Sequence, residues 1–220
     1  HPNHSGEVTS SADGATVIAD NVVDEANLKV SNSAVNGYML TAQSGNTGGL
    51  TWAAAGGAGM EFIASSGAIS SAATVSFTQF DASKYDHYMF WMQHLMPATD
   101  GASLFAHAST DGGSNYDTTN GNYHTNQIDR TGFHITDGLR NTGGGESGVS
   151  GVFYLYAPHV TNKYTYGLTE VVQMVTTDYV SILNEQTAHL AAQDTDAIQF
   201  KMSSGNIASG EIVMYGIKNA

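Results

Sequence analysis

The sequence predicts an all-β chain, an antiparallel β-sandwich of jelly-roll type preceded by a short segment of different texture. Three observations carry this. Beyond residue 57 short apolar runs recur at regular spacing, bounded by turn signals such as Asp111-Gly112-Gly113 and Ser203-Ser204-Gly205-Asn206. Helical periodicity is almost absent there, whereas two-residue alternation is plain in Val75, Phe77 and Gln79 against Thr74, Ser76 and Thr78. Before residue 57 the chain is Ser, Ala, Gly, Asn and Thr with large apolar residues spaced too widely to offset the entropy of ordering a lone copy.

Taken in order, residues 1–57 form the first region. Asp20 or Asn21 is a suitable N-cap, and Val22, Glu25 and Ala26 follow at helical spacing, so a short helix is expected over 20–28. The runs 38–42 and 50–53 flank Gln43-Ser44-Gly45-Asn46-Thr47-Gly48-Gly49, a hairpin signal with a long Gly-rich loop. A segment this poor in core material gains a core by sharing it between copies. The residues expected to supply it are Val22, Leu28, Leu40, Leu50 and Trp52. The run 53–59 reads as a linker, which places a domain boundary at Gly57.

Residues 58–220 form the second region, with strands expected at 61–64, 74–80, 87–95, 103–109, 151–157, 164–175, 179–184, 197–202 and 211–218. The run from His87 to Met96 is apolar at both parities, so its strand is expected at the centre of a sheet or at an interface. One interval, 116–148, has few strand runs and is rich in Asn, Thr, Gly and His. Long loops inside compact domains are usually functional or disordered, and recognition is expected there. Tyr116, Asn122, Tyr123, His124, Arg130 and Phe133 mix rings and polar groups in the manner that stacks on sugars and hydrogen-bonds hydroxyls. The same rings could equally pin the loop to its own domain.

Charge narrows the partners. Seven Lys and Arg stand against 20 Asp and Glu, a formal net charge of −13. Nucleic acid is therefore not an expected partner, since phosphate binding needs a basic footprint. No apolar run approaches the roughly 18 residues of a membrane span, so membrane insertion is not expected either. Cysteine is absent, so no disulfide framework is available. The chain begins at His1 rather than Met and is expected to be a soluble piece of a longer protein.

Catalytic and metal chemistry find little support. His124 and His134 lie near Asp129 and Asp137, acceptable ligand types, but their spacing matches no metal pattern. The stretch from Asp111 to Asp117 is oxygen-rich like a calcium loop, yet lacks the EF-hand pattern and its closing glutamate, and a tight turn accounts for it better. Glu146, Glu170, Glu185, Asp194 and Asp196 are carboxylates available for glycoside hydrolysis, with nothing to pair any two of them. No nucleophile elbow, zinc-protease helix or phosphate loop occurs. The chain is expected to be neither an enzyme nor a cofactor protein.

Several stretches carry a resemblance. HSGEVT from residue 4, ADNVVDEANLKVSN from residue 19 and NGYMLTAQSGNTGGLTWAAAG from residue 36 resemble the shaft or neck modules of bacteriophage tail fibres and other virion fibres, especially those of marine phages. FDASKYDHYMF, LMPATDGASLFAHASTDGGS and the closing FKMSSGNIASGEIVMYGIKNA resemble the distal β-sandwich head of such fibres. The resemblance implies a homotrimer with residues 1–57 intertwined as shaft. It further implies heads on the virion surface that attach to a host-surface saccharide or protein, and contact with other virion proteins through an upstream part. A purely structural or decoration protein and a fibre-borne depolymerase are the alternatives.

Overall fold

The computed structural model describes residues 8–10, 16–20, 28–54, 59–126, 128–141, 148–176 and 179–218. All regular structure among them is β, and the chain divides into two compact units, His1–Gly57 and Ala58–Ala220. Residues 21–27 of the helix expected over 20–28, and with them the candidate core residue Val22, lie outside the described residues.

In the first unit β1 (Val8–Ser10) pairs antiparallel with β2 (Thr16–Ile18). The expected hairpin is β3 (Tyr38–Ala42) with β4 (Leu50–Ala54), in a register that sets Leu40 opposite Trp52 and Ala42 opposite Leu50. Asn32 clamps its β4 edge. The Asn32 amide donates to the Trp52 carbonyl at 2.7 Å, and its oxygen accepts the Trp52 N–H at 2.8 Å and the Thr51 hydroxyl at 3.0 Å. Asn32 thereby extends along that edge the backbone contact that Val30 and Ser31 make with Leu50, where the Ser31 N–H donates to the Leu50 carbonyl at 3.0 Å. Gly48 has a positive φ of 90°, and a Cβ there would lie 2.2 Å from the Lys29 carbonyl oxygen, so the loop is closed by a residue only glycine can supply.

The second unit is two facing sheets. Its strands are β5 (Met60–Ser65), β6 (Ile69–Ala72), β7 (Val75–Phe77), β8 (His87–Pro97), β9 (Leu104–Ser109), β10 (Tyr123–Thr125), β11 (Ile128–Arg130), β12 (Phe133–His134), β13 (Val149–Tyr156), β14 (Thr165–Thr176), β15 (Tyr179–His189), β16 (Ala197–Met202) and β17 (Ile207–Ile217). The larger sheet runs β11-β10-β15-β14-β13-β8-β17-β5, with β6 also on β17, and the smaller runs β12-β9-β16-β7. Every strand pair is antiparallel, and the sandwich-like all-β class expected from the sequence is the observed one.

Rings from both layers interlock between the sheets. Phe90 and Phe153 of the larger sheet meet Phe77, Phe200 and Phe133 of the smaller, with centroids of 5.5 Å for Phe77–Phe90, 5.3 Å for Phe90–Phe200 and 5.3 Å for Phe133–Phe153. Tilted and edge-on pairs of this kind are favourable beyond their buried area. Gly167 of β14 makes room for them, since a Cβ there would lie 2.6 Å from the Phe153 ring and 2.7 Å from that of Phe133.

The strand β8 lies inside the larger sheet, between β13 and β17. Its inward residues Tyr88, Phe90 and Met92 are fully buried, while the alternate residue Trp91 is 46% exposed. Cross-strand register puts Phe62, Tyr215, Met89, Tyr154 and Leu168 in one row on that outer face, and Ile217, His87, Tyr156 and Tyr166 in the next. The larger sheet thus turns an apolar, aromatic face outward.

The interval 116–148 corrects the sequence expectation. Where described, its strands are few and short as expected, but it is integrated in the sandwich: it contributes β10 and β11 to one sheet, β12 to the other, and buries Ile135 and Leu139 completely. Strand ends also differ from expectation. The strand expected at 74–80 covers only Val75–Phe77, β15 runs on to His189, and β17 starts at Ile207. The Ser-rich β6 has too little β-branched character to be read from sequence.

Candidate functional site

Two of the six residues expected to recognise a ligand are in the core. Tyr123 and Phe133 are fully buried, 5.2 Å apart edge to face. The physical reason is that nothing polar is left stranded. The Tyr123 hydroxyl accepts the Ala108 N–H at 2.9 Å and donates to the Asp117 carbonyl at 3.0 Å, and burial pushes its ionisation up. The alternative reading, in which these rings pin the segment to its own domain, describes them.

The other four are dispersed. His124 is exposed on the β10–β11 hairpin, 2.9 Å from Asp129, and Arg130 is half-buried on β11 opposite Tyr123 with its Nε buried and without a hydrogen-bond partner. Asn122 and Tyr116 gather near Asp117. The Asn122 side-chain amide donates to the Asp117 carboxylate at 2.8 Å, and the Asn122 backbone carbonyl accepts the Leu190 N–H at 2.8 Å.

Around Asp117 there is a cleft of about 210 Å3, lined by Ser109, Asp111, Asn115, Tyr116, Asp117 and His189 among others. His189 is buried, stacked 4.5 Å from the Tyr123 ring, with Nε2 3.1 Å from Asp117. Burial pushes the His189 ring below the usual histidine range against the opposing pull of Asp117. For Asp117 itself burial acts upward, but bonds from the Thr119 N–H, Asn122 and His189 outweigh it and hold the carboxyl at about 2. Asp111 is similarly tied: it accepts from the Asn115 amide and N–H and from the Ser109 hydroxyl, while Asp196 accepts the Gly112 N–H at 2.9 Å. The stretch that resembles a calcium loop is a hydrogen-bonded turn in which Asp111 and Asp117 accept from neighbouring backbone N–H groups and side chains.

Of the remaining candidate acids Glu146 lies outside the described residues, Asp194 and Asp196 both line a small cleft with Tyr88 and His159, and Glu170 and Glu185 are apart. Glu185 is 3.4 Å from the buried His134 ring, which is also 3.1 Å from Asp137. Glu170, paired in register with Asn184 on β15, lies on the opposite face of the sheet from Glu185. Among the described residues no group of three or more His, Asp or Glu is arranged to hold a metal.

A second cleft of about 300 Å3 opens on the outer face of the smaller sheet, lined by Phe105, His107, Thr118, Thr131, Lys201, Met202 and Ser203. Phe105 and His107 stand two apart on β9, so both point outward while Leu104, Ala106 and Ala108 fill the core. Their rings lie 6.4 Å apart at only 22°. Burial, with Lys201 adding to it, pushes His107 down to about 4, so the ring is neutral near pH 7. Sequence reasoning missed this cleft, although the alternation in LFAHAS already sets a Phe and a His on the face opposite the core. The interval singled out from sequence does border it, through Thr118 and Thr131 rather than through its rings.

The expected shared-core residues of the first unit are open to solvent or partly so in the single chain. Leu28 and Leu40 are exposed at 36% each, and Leu50 and Trp52 are half-buried. No family model matches the chain, and neither a curated protein nor a solved structure matches it.

Proposed function

We propose that this chain is part of a homotrimeric bacteriophage fibre, exposed on the virion, in which the first unit is an intertwined shaft and the second a non-enzymatic head that attaches to a host-surface saccharide or protein. The observation that carries this reading is the apolar surface one copy leaves uncovered. Val17, Ile18, Leu28, Val35, Tyr38, Met39 and Leu40 of the first unit are all exposed, and copies of the same segment are the simplest way to cover them. The resemblance of both regions to fibre modules supplies the trimer and the attachment role. The carboxylates of the Asp117 cleft, already satisfied by internal hydrogen bonds, favour binding over hydrolysis there.

The test joins mass to binding. Sedimentation of the purified chain is expected to give three copies, and the fluorescently labelled chain is expected to bind host cells saturably. A monomer at micromolar concentration rules the shaft reading out. The aromatic outer face of the larger sheet favours a second reading, a structural or decoration protein that packs against virion neighbours. That reading expects an oligomer without cell binding.

A further inference from the structure

We propose that the cleft on the outer face of the smaller sheet binds an acidic saccharide, with the sugar ring on Phe105 and its carboxylate at Lys201. This deepens the attachment reading, on which it rests, by naming where the head binds and what class of sugar it takes.

Four features of the cleft converge. Its floor is the half-buried Phe105 ring, backed by the nearly parallel ring of the buried His107 two residues on in the same strand, a surface suited to the apolar face of a pyranose. The smaller sheet keeps this platform in place, because Leu104, Ala106 and Ala108 anchor the opposite face of β9 with no exposure above 0%. Gly132 brings the chain edge-on to the His107 ring: a Cβ there would lie 2.8 Å from its Cδ2 and 3.0 Å from its Nε2. The His107 side chain is therefore wedged and does not swing out to cover the site.

Lys201 stands beside the platform, in register with Phe105 across β16 and β9. Of the seven cations Lys84, Lys218 and Arg140 pair with a carboxylate, whereas among the described residues Lys29, Arg130 and Lys163 have no carboxylate partner. Among the described residues Lys201 has none either. An ammonium without a partner, set at the rim of a pocket in an acidic protein, selects for an anion and against a neutral ligand. The hydroxyls complete the set. Thr118 and Thr131 have no hydrogen-bond partner among the described residues, and Ser203 Oγ accepts the Ser103 N–H at 3.0 Å, which leaves its own hydrogen to donate. A platform, a cation and three hydroxyls in about 300 Å3 fit one or two sugar units.

The experiment is a titration of the whole chain with D-glucuronate and with D-glucose, followed by calorimetry or NMR, for the native protein, Lys201→Gln, Phe105→Leu and Phe105→Ala. Glucuronate is expected to bind the native chain in the millimolar range and about tenfold more tightly than glucose, the scale of one charge-assisted contact. Lys201→Gln, an exposed strand position, is expected to abolish that preference and leave glucose unchanged. Phe105→Leu weakens both sugars, and Phe105→Ala does so further if it folds. Equal affinity for the two sugars, an unchanged preference in Lys201→Gln, or no binding up to about 50 mM overturns the proposal, that range being where single sugar sites are still useful through avidity. Cell binding separates the two levels. If Lys201→Gln still attaches normally while glucuronate fails to bind, this site is wrong and the attachment reading stands. If glucuronate binds but no host cell is recognised, the site stands and the attachment reading falls.

Discussion

At the scale of single residues, the position of a polar handle decides whether an aromatic goes inside. Tyr123 is buried because Ala108 and Asp117 satisfy its hydroxyl, so Tyr123→Phe removes the partner of the buried Ala108 N–H and of the part-buried Asp117 carbonyl. It is expected to cost about 1–3 kcal/mol in urea denaturation and to leave cell binding untouched; a loss of binding with unchanged stability would return Tyr123 to the recognition surface. Histidine burial sets an acid response. His107 titrates at about 4 in the folded chain against an ordinary value of 6.5, so between these values the unfolded chain holds a proton that the folded chain lacks. Stability is therefore fully present above about 6.5 and is lost as pH falls through that window, by on the order of 3 kcal/mol from His107. His189 is shifted in the same direction and adds to the loss. Asp117, held at about 2 against 3.8, extends it at lower pH by the same sign, its unfolded form binding the proton first. In His107→Gln the dependence of the urea midpoint on pH is expected to flatten between about 6.5 and 4; an unaltered slope would refute the assignment.

At the scale of elements, close approach between layers and edges controls the fold. Gly167→Ala places a methyl group against the Phe133 and Phe153 rings and is expected to destabilise by about 1–3 kcal/mol, as overpacking does, seen as a lower thermal midpoint. Its φ lies in the ordinary range, so an unchanged midpoint would mean that the rings move aside. In the first unit Asn32→Ala removes three hydrogen bonds to β4. The β3–β4 hairpin is then expected to exchange its amide hydrogens faster, while β14 and β15 of the second unit are unaffected. The longer strands β8, β13, β14 and β16 were legible in sequence because each has at least six residues of apolar or alternating character. Strands β10, β11 and β12 were not, since two or three residues are too few to show a period.

At the scale of the whole molecule, uncovered apolar surface is the main property still to be accounted for. If the outer face of the larger sheet also meets other copies, Trp91→Glu, which sets a charge in the middle of that face, is expected to lower the association state by sedimentation without unfolding the sandwich; an unchanged mass would free that face for another partner. Trp52→Ala, opposite Leu40 in the β3–β4 register, is expected to loosen the oligomer through the first unit. By itself the sequence determined the all-β class, the position of most long strands, the change of texture at Gly57 and the acidity of the chain, because composition, two-residue alternation and turn residues are local properties. Only the tertiary structure decided which aromatics face inward, that Asp117 and His189 meet, and that Phe105, His107 and Lys201 share a cleft with Thr118 and Thr131. Those facts depend on strand order and register across residues far apart in the chain, and a one-residue shift of register would turn the strand residues among them, Phe105, His107, Lys201 and His189, to the opposite face.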